Sequence, residues 1–209
     1  KNRKMPLGPQ TDILGLDCGF GDTPLQIANL LRGIGITSRI DNVTVQRQYA
    51  EDLKGMSRTL LAAEDERGLL DCLSKDLADR QYGYIYLSRP LEQYSDWKEL
   101  LNRLCDRLEA GGTLIFSVTN ALDLGNFQWF SALAFPVGKE RLNYLNHDMV
   151  EAHLRTRLSG VLKQQKRGWA SGTLLADLVK QVRVRWLPEE SLLSLMDTVA
   201  FQFFATKED

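Results

Sequence analysis

Along this chain, short apolar runs alternate with stretches of helical spacing. "DILGLDC" is a brief apolar run, the mark of a strand buried on both faces. "TPLQIANLLRGIG" follows at helical spacing. Asp22 or Thr23 is placed to cap it, Pro24 suits its first turn, and Gly33 and Gly35 close it. "ITSRID" predicts a weaker second strand, and a charged, helix-like stretch runs from about Thr44 to Glu66. "GLLDCL" is another short apolar segment, and "YGYIYLS" a strand of aromatic and β-branched residues. In "DWKELLNRLCDRLEAGG", Trp97, Leu100, Leu101, Leu104 and Leu108 recur at helical spacing until the double glycine stops them. "TLIFSV" then reads as a fully buried strand. The alternation predicts βαβ units around a mostly parallel sheet.

After Asn120 the rhythm changes. A long aromatic connection occupies 120–146, and Trp129, Phe130 and Phe135 within it are candidates for an acceptor-side lid or a small apolar cluster. "HDMVEAHLRTRL" predicts an amphipathic helix, "SGVLKQQKRGW" a strand, 170–197 extra helices, and "VAFQFFATK" a final strand. No repeat or linker divides the chain, so a single domain over 1–209 is expected, with 1–10 as a flexible N-terminus.

Composition narrows the function classes. The chain has 209 residues, 44% hydrophobic and 25% charged, with a formal net charge of −1. That is the profile of a soluble globular protein, with no charge excess calling for nucleic acid or an anionic membrane. The longest apolar stretch is too short to cross a bilayer, and no signal core follows the basic N-terminus, so a cytoplasmic protein is expected. Cys18, Cys72 and Cys105 form no CxxC pair and no metal-like spacing with His147 and His153, which fits a reducing compartment and predicts no metal site. The chain begins with Lys, consistent with a processed chain or a piece of a larger multidomain protein.

The first strand and helix are joined by a glycine-rich turn, "DCGFGD". Such turns accompany nucleotide-like cofactors, but they also occur wherever a strand turns sharply into a helix. The dinucleotide version needs a glycine at position 24, which is Pro24, and this disfavours NAD.

The stretch "YGYIYLSRPLEQYSDWKELLNRLCDRLEAGGTLIFSVTN" resembles the second half of class I S-adenosylmethionine-dependent methyltransferases. There a strand, an L-E-H segment, a helix ending in L-x-P-G-G and a strand ending in P-N follow in this order. The resemblance implies a Rossmann-like α/β fold. Its sheet is seven-stranded and mostly parallel, with helices on both faces and an antiparallel last strand. The family loop, similar to V-L-D-L-G-C-G-x-G, aligns with "ILGLDCGFG": Cys18, Gly19 and Gly21 match, whereas Gly15 stands in for an acid and Asp17 for a glycine.

By that resemblance the cofactor is S-adenosylmethionine, held by Asp17, Cys18, Gly19 and Gly21, with Ser88 at the end of the fourth strand. Asp41 takes the place of the acid that receives both ribose hydroxyls, or is a solvated turn aspartate. Asp71, in "LLDCL", takes the place of the acid at the end of the third strand that receives the adenine amino group, with Cys72 offering its backbone N–H, or is a helix cap. If the Asp17 carboxylate faces the cleft, it attracts the sulfonium or repels the methionine carboxylate.

Several family positions differ. Gly83 replaces an aspartate, Gln93 the histidine of L-E-H, Ala110 and Thr119 prolines, and Arg141 the histidine of a T-H-L-R-F-F-like segment. Glu92 keeps the L-E-H glutamate, and Arg89 reads as a surface residue. An alcohol acceptor needs a base within hydrogen-bond reach. His147 is the candidate, although a capping or surface role is the expectation for it. The tail through "FQFF" resembles methyltransferase domains fused to glycosyltransferases in bacterial glycan assembly. Two functions follow as expectations. One is methylation of a small polar acceptor, most plausibly a sugar or nucleotide-sugar hydroxyl in glycan biosynthesis. The other is a catalytically degenerate binding or scaffolding module in a larger glycan-assembly protein.

Overall fold

A computed structural model describes residues 10–119, 145, 147–167 and 198–207. The expectations placed on 1–9, on the connection 120–144 with Trp129, Phe130, Phe135 and Arg141, and on the helices of 170–197 lie outside these residues. The elements run β1 (Gln10–Leu16), α1 (Asp22–Gly33), β2 (Thr37–Thr44), α2 (Ala50–Lys54), β3 (Thr59–Ala62), α3 (Glu66–Asp71), β4 (Tyr82–Leu87), α4 (Trp97–Asp106), β5 (Leu108–Thr119), α5 (His147–Arg155), β6 (Gly160–Arg167) and β7 (Thr198–Thr206). No helix among the described residues is long and apolar enough to cross a membrane.

The strands form one seven-stranded sheet in the order β3-β2-β1-β4-β5-β7-β6. β1, β2, β3, β4 and β5 pair in parallel, and β7 pairs antiparallel with both β5 and β6. This is the expected sheet. Its two faces follow from strand periodicity. Ile13 and Ile40 point to one face, against Leu31 and Ile27 of α1. Leu14, Leu16 and Val43 point to the other, where they join Leu69 of α3, Leu100, Leu101 and Leu104 of α4, and Val150 and Leu154 of α5. At the far end Phe116 of β5 and Phe203 of β7 stack at 5.0 Å between centroids, both fully buried.

Four local expectations are corrected. The stretch from Thr44 to Glu66 is not one helix: α2 ends at Lys54 and Thr59–Ala62 enters the sheet as β3, in register with Asp41–Thr44. A four-residue edge strand is too short to show a period of two among helix-forming neighbours. "GLLDCL" is then not the third strand. It is α3, continuing into a π-turn over Cys72–Asp76, with Leu69, Leu73 and Leu77 all buried at four-residue steps. The α1 N-cap is Gly21, at φ 81° and without a side-chain cap, rather than Asp22 or Thr23. Finally, α4 ends at Asp106, and the double glycine belongs to β5. A Cβ on Gly112 would press on the carbonyls of Glu109 and Tyr82, so the strands approach too closely there for a side chain.

Asp41 lies in the middle of β2, 1% exposed. Arg58 grips it through both Nε (2.9 Å, to Oδ1) and Nη2, and Arg80 Nη1 (2.9 Å) and the Tyr82 hydroxyl (3.0 Å) donate to Oδ2. Burial alone would raise the Asp41 carboxyl, but these donors outweigh it and hold the group below the usual carboxylate range. Its folded pKa is thus depressed, and its stabilisation is present above the unfolded value and lost as pH falls through the folded one.

Two stability measurements check this fold. Phe203→Ala should cost about 3–5 kcal/mol in urea unfolding, because the stacked site cannot collapse. Asp41→Asn should cost about 3 kcal/mol at neutral pH by stranding Arg58 and Arg80, and the gap from wild type should narrow as pH falls below about 4, where the carboxylate of the unfolded chain protonates while the native one stays ionised.

Candidate functional site

The chain order reverses between β1 and β4: β1 leads outward to β2 on one side, and β4 outward to β5 on the other. In open α/β sheets, ligands bind in the crevice beyond the carboxyl ends of the strands at such a reversal. The turn from Asp17 to Gly21 occupies that edge, between β1 and α1.

Three of its five residues are left-handed: Asp17 at φ 50°, Gly19 at φ 54° and Gly21 at φ 81°. The Gly21 N–H donates to the Cys18 carbonyl at 2.8 Å and closes the turn. A Cβ on Gly19 would meet nothing within 4 Å, so glycine serves the backbone angle there and the space beside it is open. Gly21 is different, since a Cβ would press on Met56 and Leu53 of the neighbouring layer. Gly15 is small for a third reason: the Asn42 side chain of β2 fills the place a Cβ would take, beside Pro24 and Cys18.

Asp17 faces neither the sulfonium nor the methionine side of a cleft. Its side chain has no exposure and turns inward. Oδ1 accepts from the Val45 N–H at 2.8 Å, and Oδ2 from the Tyr94 hydroxyl at 2.8 Å and Arg89 Nη1 at 3.4 Å. Burial, then the charge of Asp17, pushes the Tyr94 hydroxyl far up, so it stays a donor. The Arg89 guanidinium lies 4.6 Å over the Tyr94 ring and donates to the Gln93 carbonyl at 3.1 Å. Arg89 is thus half-buried and internally paired rather than a surface residue; its sequence neighbours gave no sign of a partner seventy-two positions upstream. Cys18 also turns into the sheet, toward the Leu16 and Tyr86 carbonyls. Burial, then the charge of Asp17, raises its thiol, which leaves only its backbone for a ligand. Ser88 directly follows β4, its N–H on the Leu16 carbonyl at 3.1 Å.

The other expected ligands do not converge here. Asp41 is neither at the end of β2 nor solvated; Arg58, Arg80 and Tyr82 consume it. The strand ends at Thr44, and the half-buried residue that reaches the edge is Gln46, whose N–H donates to the Thr44 hydroxyl at 3.0 Å. Asp71 is the last residue of α3, 59% exposed and paired with Lys75 at 3.1 Å, and Cys72 follows it into the π-turn. The acids that follow β3 are Glu64 and Asp65: Glu64 pairs with Arg47 at 3.0 Å, and Asp65 caps α3 by accepting from the Gly68 N–H at 2.8 Å. Reading α3 as the third strand displaced this assignment along the chain. Both Gln46 and Asp65 become visible once the Thr59–Ala62 strand is recognised.

His147 opens α5, with Nδ1 2.8 Å from Asp148 Oδ1 and 3.1 Å from the Lys163 ammonium of β6. Burial, then the charge of Lys163, holds its imidazole below the usual histidine range. β6 lies three strands beyond β4, about 14 Å at ~4.8 Å per strand. The His147 partners therefore hold it away from the glycine turn. Glu92 is buried, and both its carboxylate oxygens accept from the Thr119 N–H at 3.2 Å, tying the end of β5 to the turn after β4.

No family model matches the chain, and no curated protein matches it in sequence. Solved structures do resemble it. A SAM-dependent methyltransferase from Archaeoglobus fulgidus superposes with a TM-score of 0.62 at 14% identity, over 94% of this chain and 86% of that one. Coclaurine N-methyltransferase bound to N-methylheliamine and SAH gives a TM-score of 0.52 at 14% identity, over 96% of this chain and 68% of that one. The [4+2]-cyclase SpnF gives 0.56 at 16% identity, over 95% of this chain and 76% of that one. At these identities the likeness is one of architecture: the chain carries the class I methyltransferase fold.

Proposed function

We propose that this chain is an S-adenosylmethionine-dependent methyltransferase domain that seats its cofactor across the Gly19–Gly21 turn. The observation that carries this reading is the turn itself, left-handed and with open space beside Gly19, at the β1/β4 reversal of the sheet. The structural neighbours described as methyltransferases support the cofactor class. When bound, the cofactor supplies a methyl group on a sulfonium, and a domain of this kind contributes chiefly by aligning donor and acceptor. In this chain the backbone of 18–21 would lie along the cofactor, with Ser88 on one side and the Gln46 amide at the end of β2 on the other. The acceptor of this reading is a small polar molecule, a sugar or nucleotide-sugar hydroxyl, supported by the resemblance of the tail to glycan-assembly fusions.

A second reading is a binding or scaffolding module without turnover. One specific observation favours it: every carboxylate expected to grip the cofactor is engaged elsewhere. Asp17 and Asp41 are internal, Asp71 is outside the edge, and the residue at the end of β2 is a neutral amide.

Calorimetric titration with S-adenosylmethionine and S-adenosylhomocysteine separates ligand binding from its absence, and micromolar affinity is the expected result. No heat at millimolar cofactor would leave the scaffold. Gly19→Val should weaken binding at least about tenfold, because a β-branched side chain is strained at φ 54° and fills the open space. Asp71→Ala should leave the affinity unchanged. Gln46→Glu should tighten it by about 1 kcal/mol, since a carboxylate accepts from both ribose hydroxyls where an amide oxygen shares its end with a donor.

A further inference from the structure

A second cleft runs along α1, away from the glycine turn. Leu25, Ala28, Asn29 and Arg32, one face of α1 at i, i+3, i+4 and i+7 spacing, form one wall. The segment Gly55, Met56, Ser57 and Arg58 forms the other, and the first half of β2 forms the floor with Ser38, Arg39 and Ile40. The cleft measures about 450 Å³, within the range of small-molecule sites. Leu25, Ala28, Met56 and Ile40 give it an apolar part. Its polar part contains three guanidiniums and the Ser38 and Ser57 hydroxyls, and no carboxylate lines it.

The acids that balance those arginines lie beneath them. Asp12, 13% exposed, takes Arg39 Nε at 3.0 Å and Arg58 Nη1 at 2.7 Å, and buried Asp41 takes Arg58 and Arg80. These ion pairs fix the Arg39 and Arg58 side chains before any ligand arrives, which lowers the ordering cost of binding. Each Arg58 terminal nitrogen carries a second N–H beyond the one given to a carboxylate. Arg32 is exposed and bonded to the Asn29 amide oxygen at 2.7 Å, so it is swung along the same wall. With Glu109, which stands near enough to Asp12 for their charges to interact, four guanidiniums face three carboxylates, and the excess charge is positive. The carbonyls at the C-terminal end of α1 do not oppose an anion freely, because the N–H groups of Ile34, Gly35 and Ile36 take those of Leu31 and Arg32.

We propose that the cleft between α1 and Gly55–Arg58 binds an organic phosphate, its anionic group held by Arg32, Arg39 and Arg58 and its apolar body lying on Leu25, Ala28, Met56 and Ile40. Planar guanidiniums suit phosphate oxygens through paired N–H donors, and the Ser38 hydroxyl adds a donor that does not depend on charge, whereas the Ser57 hydroxyl is already given to the Leu53 carbonyl at 2.6 Å. No residue of the 17–21 turn lines the cleft, although Gly21 adjoins its wall at Leu25 and Met56, so binding at the two places is told apart by where the shifts centre.

The test uses 1-naphthyl phosphate as the probe, with 1-naphthol and inorganic phosphate as its halves, followed by amide chemical shifts on the isotope-labelled chain. The expected result is saturable binding of 1-naphthyl phosphate, tighter than either half, with shifts centred on Ser38, Gly55 and Ser57. Arg32→Gln should weaken it roughly fivefold to tenfold, the loss of one charge-assisted donor. Arg103→Gln on α4, which removes the same charge elsewhere, should leave it unchanged. Absence of shifts at millimolar probe, shifts centred on Gly19 and Gly21, or equal weakening by the two arginine variants would each overturn the proposal. The last result marks general charge attraction rather than a site.

Discussion

The carboxyl edge of the sheet is organised around one buried carboxylate. Asp17 directly follows β1, and its two oxygens reach the Val45 N–H just past β2 and the Tyr94 hydroxyl and Arg89 after β4. Three neighbouring strands are thereby tied together at their ends. A buried charge without partners would cost several kcal/mol, so the arrangement persists only because each oxygen has hydrogen-bond donors and Arg89 supplies the opposite charge. Aspartate also tolerates the left-handed angle at the turn better than most residues. The glycine turn inherits its position from this tie: Cys18 and Gly19 begin where Asp17 is anchored, and Gly21 is held against Met56 and Leu53 by its lack of a side chain.

Asp41 repeats the device deeper in the same sheet. It gathers Arg58 from the segment before β3, Arg80 from the approach to β4, and Tyr82 from β4 itself. Together the two carboxylates convert residues that a cofactor site would expose into internal fasteners. Around the 18–21 turn, Ser88 and Gln46 are neutral and only the exposed Asp22 opening α1 is charged, while the acids after β3 are engaged, Glu64 by Arg47 and Asp65 by the α3 N-terminus. Such an edge has room for a ligand but little charge with which to grip one. The guanidiniums gathered by Asp12 and Asp41 line the other cleft, between α1 and Gly55–Arg58.

Much of the architecture was legible because its signals are local. Apolar runs mark β1, β4 and β5, and with the leucines of α4 and the alternation of segments they predict a mostly parallel sheet; the antiparallel last strand is implied by the family resemblance alone. The misread elements are those whose local signals conflict. β3 has four residues and lies at an edge, so neither length nor alternation marks it. Without it, the buried leucines of α3 at positions 69 and 73 look like the missing strand, and Asp71 reads as a strand-end acid although it closes a helix. The double glycine looked like a helix stop, yet Gly112 is required by close approach of β4 and β5.

The sequence by itself determined the kind of molecule: an α/β chain with a glycine turn between its first strand and helix, built around a mostly parallel sheet. Periodicity and turn chemistry act over a few residues, and such information survives in a linear string. Only the tertiary structure decided where the charged groups point. Asp17 meets Tyr94 across seventy-seven positions, and Asp41 meets Tyr82 across forty-one. Whether an aspartate faces a ligand or the interior depends on which donors folding brings within about 3 Å of it, and sequence spacing carries no record of that distance.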